Sequence, residues 1–304
     1  LQMRDEHPLF SYTEEDKQYV RNELGLNEST IEEGIDAIMD WFNKQPHLVE
    51  AGIGLSTIEH LLIIAKGSLE KTKKRIDNFY KYRATAPELI QNREKYLNDS
   101  ADLWASYIQV SMPRLLNGHR VAVVKFIDSD ASKFSSENLF RNTFMMGDIR
   151  MKYDYFLADI WVLDMQCATF SHLMRMNPMI LQKTSNIFHK GLGIRIQAIH
   201  ILNATSLLTH VVAFMRQFFS PKVMDRLVIH DKLEDLYKHV PQRYLPKDYG
   251  GDQPYLMEFK EFRSTRTKKL LIEASKLVSN ESRRPNADKN EDCLVGSFRK
   301  LDFD

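Results

Sequence analysis

IRIQAIHILNATSLLTHVVAFMRQFFSPKVMDR, Ile194 to Arg226, is the stretch on which the fold turns. Its first nine residues, rich in isoleucine, suit a buried strand. Beyond Asn203 the period lengthens. At 100° per residue Leu207, Val211, Phe214 and Phe218 fall on one stripe of a helix, and Leu208, Val212, Met215 and Phe219 on the next. The apolar arc spans roughly 160°, wider than a surface helix needs. Two readings fit: a core helix seated on a sheet, or a lid with one stripe over a cavity and the other free to meet a bilayer on opening. KVMDR then sets Lys222 and Arg226 four apart, on one face just past the stripes, and Arg195 at the start of the strand is placed to join them. A solvated charged face accounts for such residues by itself. Apolar surface beside clustered cation is also what reversible membrane binding uses, because insertion and phosphate attraction each add affinity.

Upstream, RVAVVKFID and DIWVLDM read as strands, and SSENLFRNTFMMGDIRMKYDYF between them as a helix. Strand, helix and strand at this spacing imply a crossover and parallel pairing. A helix after Pro178 leads back to the strand of the opening stretch. The first hundred residues read as helices. STIEEGIDAIMDWFNKQ offers Ser29 or Thr30 as N-cap, Glu33 three residues after Thr30, and Ile31, Ile35, Ile38, Met39 and Phe42 at helical spacing. GLSTIEHLLIIAKG and SLEKTKKRIDNFYKYRA continue the pattern, the latter with Leu69, Ile76, Phe79 and Tyr80 on one side. From Asn280 to Asp304 a charge-rich tail reads as an extended arm that Val295, Phe298 and Leu301 dock.

Whole-chain quantities narrow the function classes. At 304 residues there is length for one large domain or two modest ones with real cores. Lys plus Arg number 42 against 41 Asp plus Glu, so no global field draws nucleic acid, and any electrostatic targeting is local. Cys167 and Cys293 lie far apart without a CxxC pair, which suggests neither a disulfide framework nor a zinc site. No apolar run reaches the 18 or so residues of a membrane span, and LQMRDEHPLF lacks a signal-peptide core. The expectation is a cytoplasmic protein, peripheral to membranes and monomeric.

AIHILNAT, the apolar helix and SPKVMDRLVIHDKLEDLYKHVPQRYLPKDYGGD together resemble the CRAL-TRIO lipid-binding family, in the branch of α-tocopherol transfer protein and cellular retinaldehyde-binding protein. WFNKQPHL, NFYKYRATAPEL, FSSENLFRNTFMM and LDMQCATFSH fall in that family's order, so the resemblance runs from about residue 37 to 251. It implies an α/β fold: an all-helical N-terminal domain over 1–95, a ligand-binding lobe over 96–251 whose mainly parallel sheet floors an apolar cavity closed by a gate helix, and a C-terminal helix and extended tail over 252–304. Leu207 to Phe219 matches the gate.

The resemblance also assigns residues. On the strand DIWVLDM, alternation puts Asp159, Trp161 and Leu163 on one face, and family correspondence turns that face to the cavity. Ile194, Ile196 and Ile199 match further strand positions. Phe140, Thr143, Phe144, Ile187, Phe188 and Leu192 match the helical wall, and Leu208, Val211, Val212, Met215 and Phe218 the inner side of the gate. An acid facing an apolar cavity is costly unless bonded, so Asp159 is expected at a wet strand end or against a polar group of the ligand. Arg195, Lys222 and Arg226 match a basic cleft that binds phosphoinositide headgroups in the tocopherol branch. Gln197 replaces another cation of that cleft, LLIIAKGS replaces an arginine-bearing segment, Leu192 and Gly193 replace a Phe-Pro pair, and Cys167 replaces a glycine.

Catalytic patterns are missing. No HExxH, GxSxG or P-loop occurs, and the GIG at Gly52 and GLG at Gly191 lack a third glycine. His200, His210, His230 and His239 are too spread in sequence to form a ligand set, and His200 reads as a buried hydrogen-bonder. Asp128 and Asp130 sit in a turn leaving a strand. The resulting expectation is a carrier, without cofactor, metal or enzyme activity, that holds a retinoid, tocopherol or similar isoprenoid and moves it between membranes. A phosphoinositide-responsive sensor without net transfer, or a lipid-modifying enzyme, stand behind it.

Overall fold

The computed structural model describes residues 10–98, 106–204, 207–260 and 265–285; the arm residues Val295, Phe298 and Leu301 lie outside them. Six helices come first: α1 (Glu14–Glu23), α2 (Glu28–Phe42), α3 (Leu55–Ile64), α4 (Leu69–Ala84), α5 (Pro87–Ile90) and α6 (Arg93–Asn98). Helix α2 starts earlier than Ser29 or Thr30. Asn27 is the cap, because its side chain accepts from the Thr30 amide at 2.9 Å while the Thr30 hydroxyl accepts from the Asn27 amide at 3.0 Å. Ile38, Phe42, Ile58, Leu61, Ile76, Phe79 and Tyr80 bury the faces that helical spacing assigns them.

The lobe follows as β1 (Tyr107–Leu116), β2 (His119–Phe126), α7 (Ser136–Tyr153), β3 (Ala158–Asp164), α8 (Phe170–Met174), α9 (Pro178–Asn186), β4 (Ile196–Leu202), α10 (Leu208–Phe218), α11 (Pro221–Met224) and β5 (Leu227–His230). Short α12 (Leu233–Leu236) and then α13 (Thr265–Ala274) complete the elements. The sheet runs in sequence order, β1 to β5, with β1–β2 antiparallel and the other three pairs parallel. The parallel crossovers, each right-handed by rule, therefore stack their helices on one face. The opposite face packs Ile108, Val121, Val123, Ile160 and Val162 against Leu236, Leu245 and Leu256 from the segment after β5.

Strand β1 is absent from the sequence reading. YIQVSMPRLL breaks its apolar run with Ser111, Pro113 and Arg114, and such a stretch survives only as an edge strand, its ladder irregular between Ser111 and Leu115. Strand β4 is shorter than the run Ile194–Leu202 suggested, beginning at Ile196. Its pairing with β3 slips by one residue: Asp159 faces Ile196 but Ile160 faces Ala198, so Gln197 is passed over. Helix α9 continues as a π-helical segment, Ile187–Leu192, which Gly193 ends at φ 61°. The Phe-Pro pair of the family is impossible in that backbone, since proline holds φ near −65°. The guanidinium of Arg75 also lies where a Cβ on Gly193 would be.

Candidate ligand-binding site

A cavity of about 270 Å³ lies between the sheet and its helices. From the floor, alternation brings Gln109 and Ser111 of β1, Ala122, Val124 and Phe126 of β2, and Asp159, Trp161 and Leu163 of β3 to it. Helix α10 covers it with Val211, Phe214, Met215 and Phe218, and Phe219 just past its end adds to the lining. Trp161 stacks edge-on to Phe219 and Phe188, with ring centroids 5.9 and 6.5 Å apart.

Of the residues named from sequence, Phe140, Thr143, Asp159, Trp161, Leu163, Phe188, Leu192, Ile194, Ile196, Val211, Met215 and Phe218 line this cavity. Five do not. Phe144 and Ile187 are buried one layer back, against the N-terminal helices. Ile199 packs with Ile201 and Val223 in the cluster beneath α10, and Leu208 borders that cluster, while Val212 is half-buried outside the cavity. All eight residues of the two gate stripes are buried or half-buried; the exposed positions of α10 are Thr209, His210, Ala213, Arg216 and Gln217. The second stripe therefore does not face outward. Exposed apolar side chains come instead from α8 and the start of α9, where Phe170, Met174 and Met179 are 50–70% exposed, and the Phe170 ring meets His210 of α10 at 5.0 Å. Sequence reasoning missed these, and it missed the β1 and β2 floor. The alternation in RVAVVKF held the signal for Ala122 and Val124.

Asp159 is neither at a wet strand end nor free for a ligand. It is buried, and its two oxygens receive Arg150 Nη2 at 2.6 Å and Nη1 at 2.9 Å. Trp161 Nε1 donates to it at 3.3 Å. The Nε of Arg150 goes to Asp154 at 2.9 Å, and Asp154 also takes Arg120 and the Tyr155 amide. Burial opposes these charges, but the attraction outweighs it. Arg120 and Arg150 hold the Asp154 carboxyl down at about 2, and Asp159 and Asp154 raise Arg150 above its ordinary value. Burial alone pushes His189, also on the wall, down to about 4. Arg150 is thus the one cation on the wall at neutral pH among the described residues, and three of its five N–H groups are committed to Asp154 and Asp159.

A second concavity lies at the N-terminal ends of β2, β3 and β4. Arg195, Lys222 and Arg226 meet there, as their spacing suggested, together with Lys66, His119 and Gln197, and with Glu23 as the carboxylate. Lys66 comes from inside LLIIAKGS, so the replaced segment still supplies a cation. The Arg195 Nε and Nη2 atoms are buried with no hydrogen-bond partner. Burial and the nearby Arg75 lower this guanidinium to about 10. Arg226 instead donates to the Ile196 carbonyl.

His200 is the buried hydrogen-bonder its position suggested: its Nδ1 lies 2.8 Å from His230 Nε2, with the His239 ring 5.1 Å away. Among the described residues no group of three His, Cys, Asp or Glu side chains is arranged to hold a metal. No described helix is long and apolar enough to cross a membrane.

Comparison with known proteins fits this geometry. Residues 107–251 match the model of the CRAL/TRIO domain. The lobe belongs to the CRAL-TRIO family. Residues 27–99, ahead of it, match the model described as Pinta-like, UBA domain. The chain is similar to Alpha-tocopherol transfer protein-like of Mus musculus, 32% identical over 89 residues, and to that of Homo sapiens and of Pongo abelii, 30% identical over 89. Each alignment covers 29% of this chain and 26% of the relative, so the match spans about a quarter of the relatives' length.

Proposed function

We propose that this chain takes one hydrophobic molecule, an isoprenoid of the retinoid or tocopherol kind, into the cavity under α10 and carries it between membranes. The observation that carries the reading is a predominantly apolar cavity between the sheet and its helices, roofed on one side by the amphipathic helix α10. Burying apolar ligand surface gains about 25 cal/mol per Å², so a ligand of a few hundred Å² is held with little polar help. Release then requires a medium that solvates the inner face of α10, and a bilayer is such a medium. Phe170, Met174 and Met179 supply a surface for first contact. The residues lining the cavity act here as ligand contacts, not as catalysts; the protein works without a cofactor, as a cytoplasmic visitor to membranes. The helical region to residue 95, the lobe to 251 and the segment beyond serve as its three parts.

The test is transfer of a fluorescent isoprenoid between vesicle populations. The wild type should transfer it unaltered and stoichiometrically. Phe218→Asp should fold yet transfer at least tenfold more slowly, since a carboxylate resists both the cavity and the bilayer. Unchanged transfer by that variant would remove α10 as the gate, and a chemically altered product in catalytic excess would make the protein an enzyme. A second reading, a phosphoinositide-responsive sensor, draws on the unpartnered Arg195 in the basic cleft. It predicts binding to phosphoinositide vesicles with the isoprenoid retained.

A further inference from the structure

Gln109 is a polar residue on an apolar wall. It sits mid-strand in β1, opposite Val124, on the face that lines the cavity. Its Oε1 lies 2.8 Å from the Thr143 hydroxyl, which is 2.9 Å from the Leu139 carbonyl four residues back. Among the described residues its Nε2 has no hydrogen-bond partner. Thr143 has one proton and two acceptors in reach. With that proton on Oε1, Gln109 turns its NH2 to the cavity as a donor. With it on the Leu139 carbonyl, the amide reverses to donate to Thr143 and offers its oxygen instead.

A group that both donates and accepts satisfies either arrangement. A hydroxyl does; a hydrocarbon end does neither. A carboxylate accepts but brings a charge, and the cation on this wall, Arg150, already binds Asp159 and Asp154 through Nη1, Nη2 and Nε. Building on the carrier reading, we infer that the Gln109–Thr143 pair anchors the ligand's polar end, so that the cavity selects a neutral lipid alcohol over the hydrocarbon or acid of the same skeleton. Gln109 is the contact, and Thr143 positions its amide.

Three probes on one C20 skeleton test this: phytol, phytane and phytanic acid, titrated against the intact protein by displacement of a bound fluorescent lipid. The wild type should bind phytol about tenfold more tightly than phytane, the worth of one buried hydrogen bond, and phytanic acid more weakly than phytol. Gln109→Leu should abolish the preference, bringing phytol and phytane to equal affinity, with measurable phytane binding showing that the cavity is intact. Thr143→Val should lose part of the preference, because the amide is then free to turn. A phytol preference that survives in Gln109→Leu, or equal binding of phytol and phytane by the wild type, overturns the inference and leaves the carrier reading standing. If none of the three binds, both fall.

Discussion

Four charges buried in a row, Arg120, Asp154, Arg150 and Asp159, tie the C-terminal end of α7 to the start of β3 and to β2. Each is under 10% exposed, so each depends on its neighbours for solvation. Asp154→Asn would leave two arginines facing one remaining acid and should cost about 3–5 kcal/mol, read from the urea midpoint. The pH dependence has a definite sign. The folded carboxyl of Asp154 is depressed to about 2, below its unfolded value, so its contribution is fully present above about pH 4 and is lost as pH falls toward 2. The asparagine variant should lack that part of the acid transition. The sequence disclosed only half of this. The cost of Asp159 was readable from its place in an apolar strand, but its partner lies nine residues earlier on a helix, and only tertiary packing sets them 2.6 Å apart. Gln109 was not readable at all, because its strand was not.

Among the elements, periodicity told helix from strand wherever burial was one-sided. Helix α10 announced itself by two adjacent stripes, and β2 and β3 by short β-branched runs between turns. Strand β1 did not, since an edge strand interrupted by proline carries little alternation. The gate's orientation also lay beyond the pattern: two stripes over 160° show that a helix is buried widely, not which neighbour covers which stripe. Past α10, the α11 cap Ser220 and Pro221 turn the chain so that Lys222 and Arg226 reach the same cleft as Arg195, which immediately precedes β4. The double variant Lys222→Ala, Arg226→Ala should weaken binding to anionic vesicles several-fold at low ionic strength and much less at high, where exposed charges are screened. Co-sedimentation over a salt series measures it, and binding indifferent to both residues at low salt would leave them as ordinary surface charges.

At the scale of the molecule, the helical region and the lobe share one core: Phe79, Tyr80 and Leu89 pack with Phe144, Ile187 and Leu192. The C-terminal segment crosses back over the helices, where Arg284 grips Asp77 at 2.8 Å and the Asn280 amide reaches the His47 carbonyl. The order of parts followed from the sequence because motifs come in chain order, whereas the way the parts clasp depends on side chains hundreds of positions apart. The skipped pairing of Gln197 carries a structural lesson of its own. A residue that the ladder leaves out is ornamental to the sheet and useful only to whatever lies outside it, which here is the charged hollow where it stands exposed. Excising that single position should yield a protein that melts within a few degrees of its parent, with Ile196 and Ile199 still turned to the same side. A collapse on excision would mean the supernumerary residue is a keystone after all.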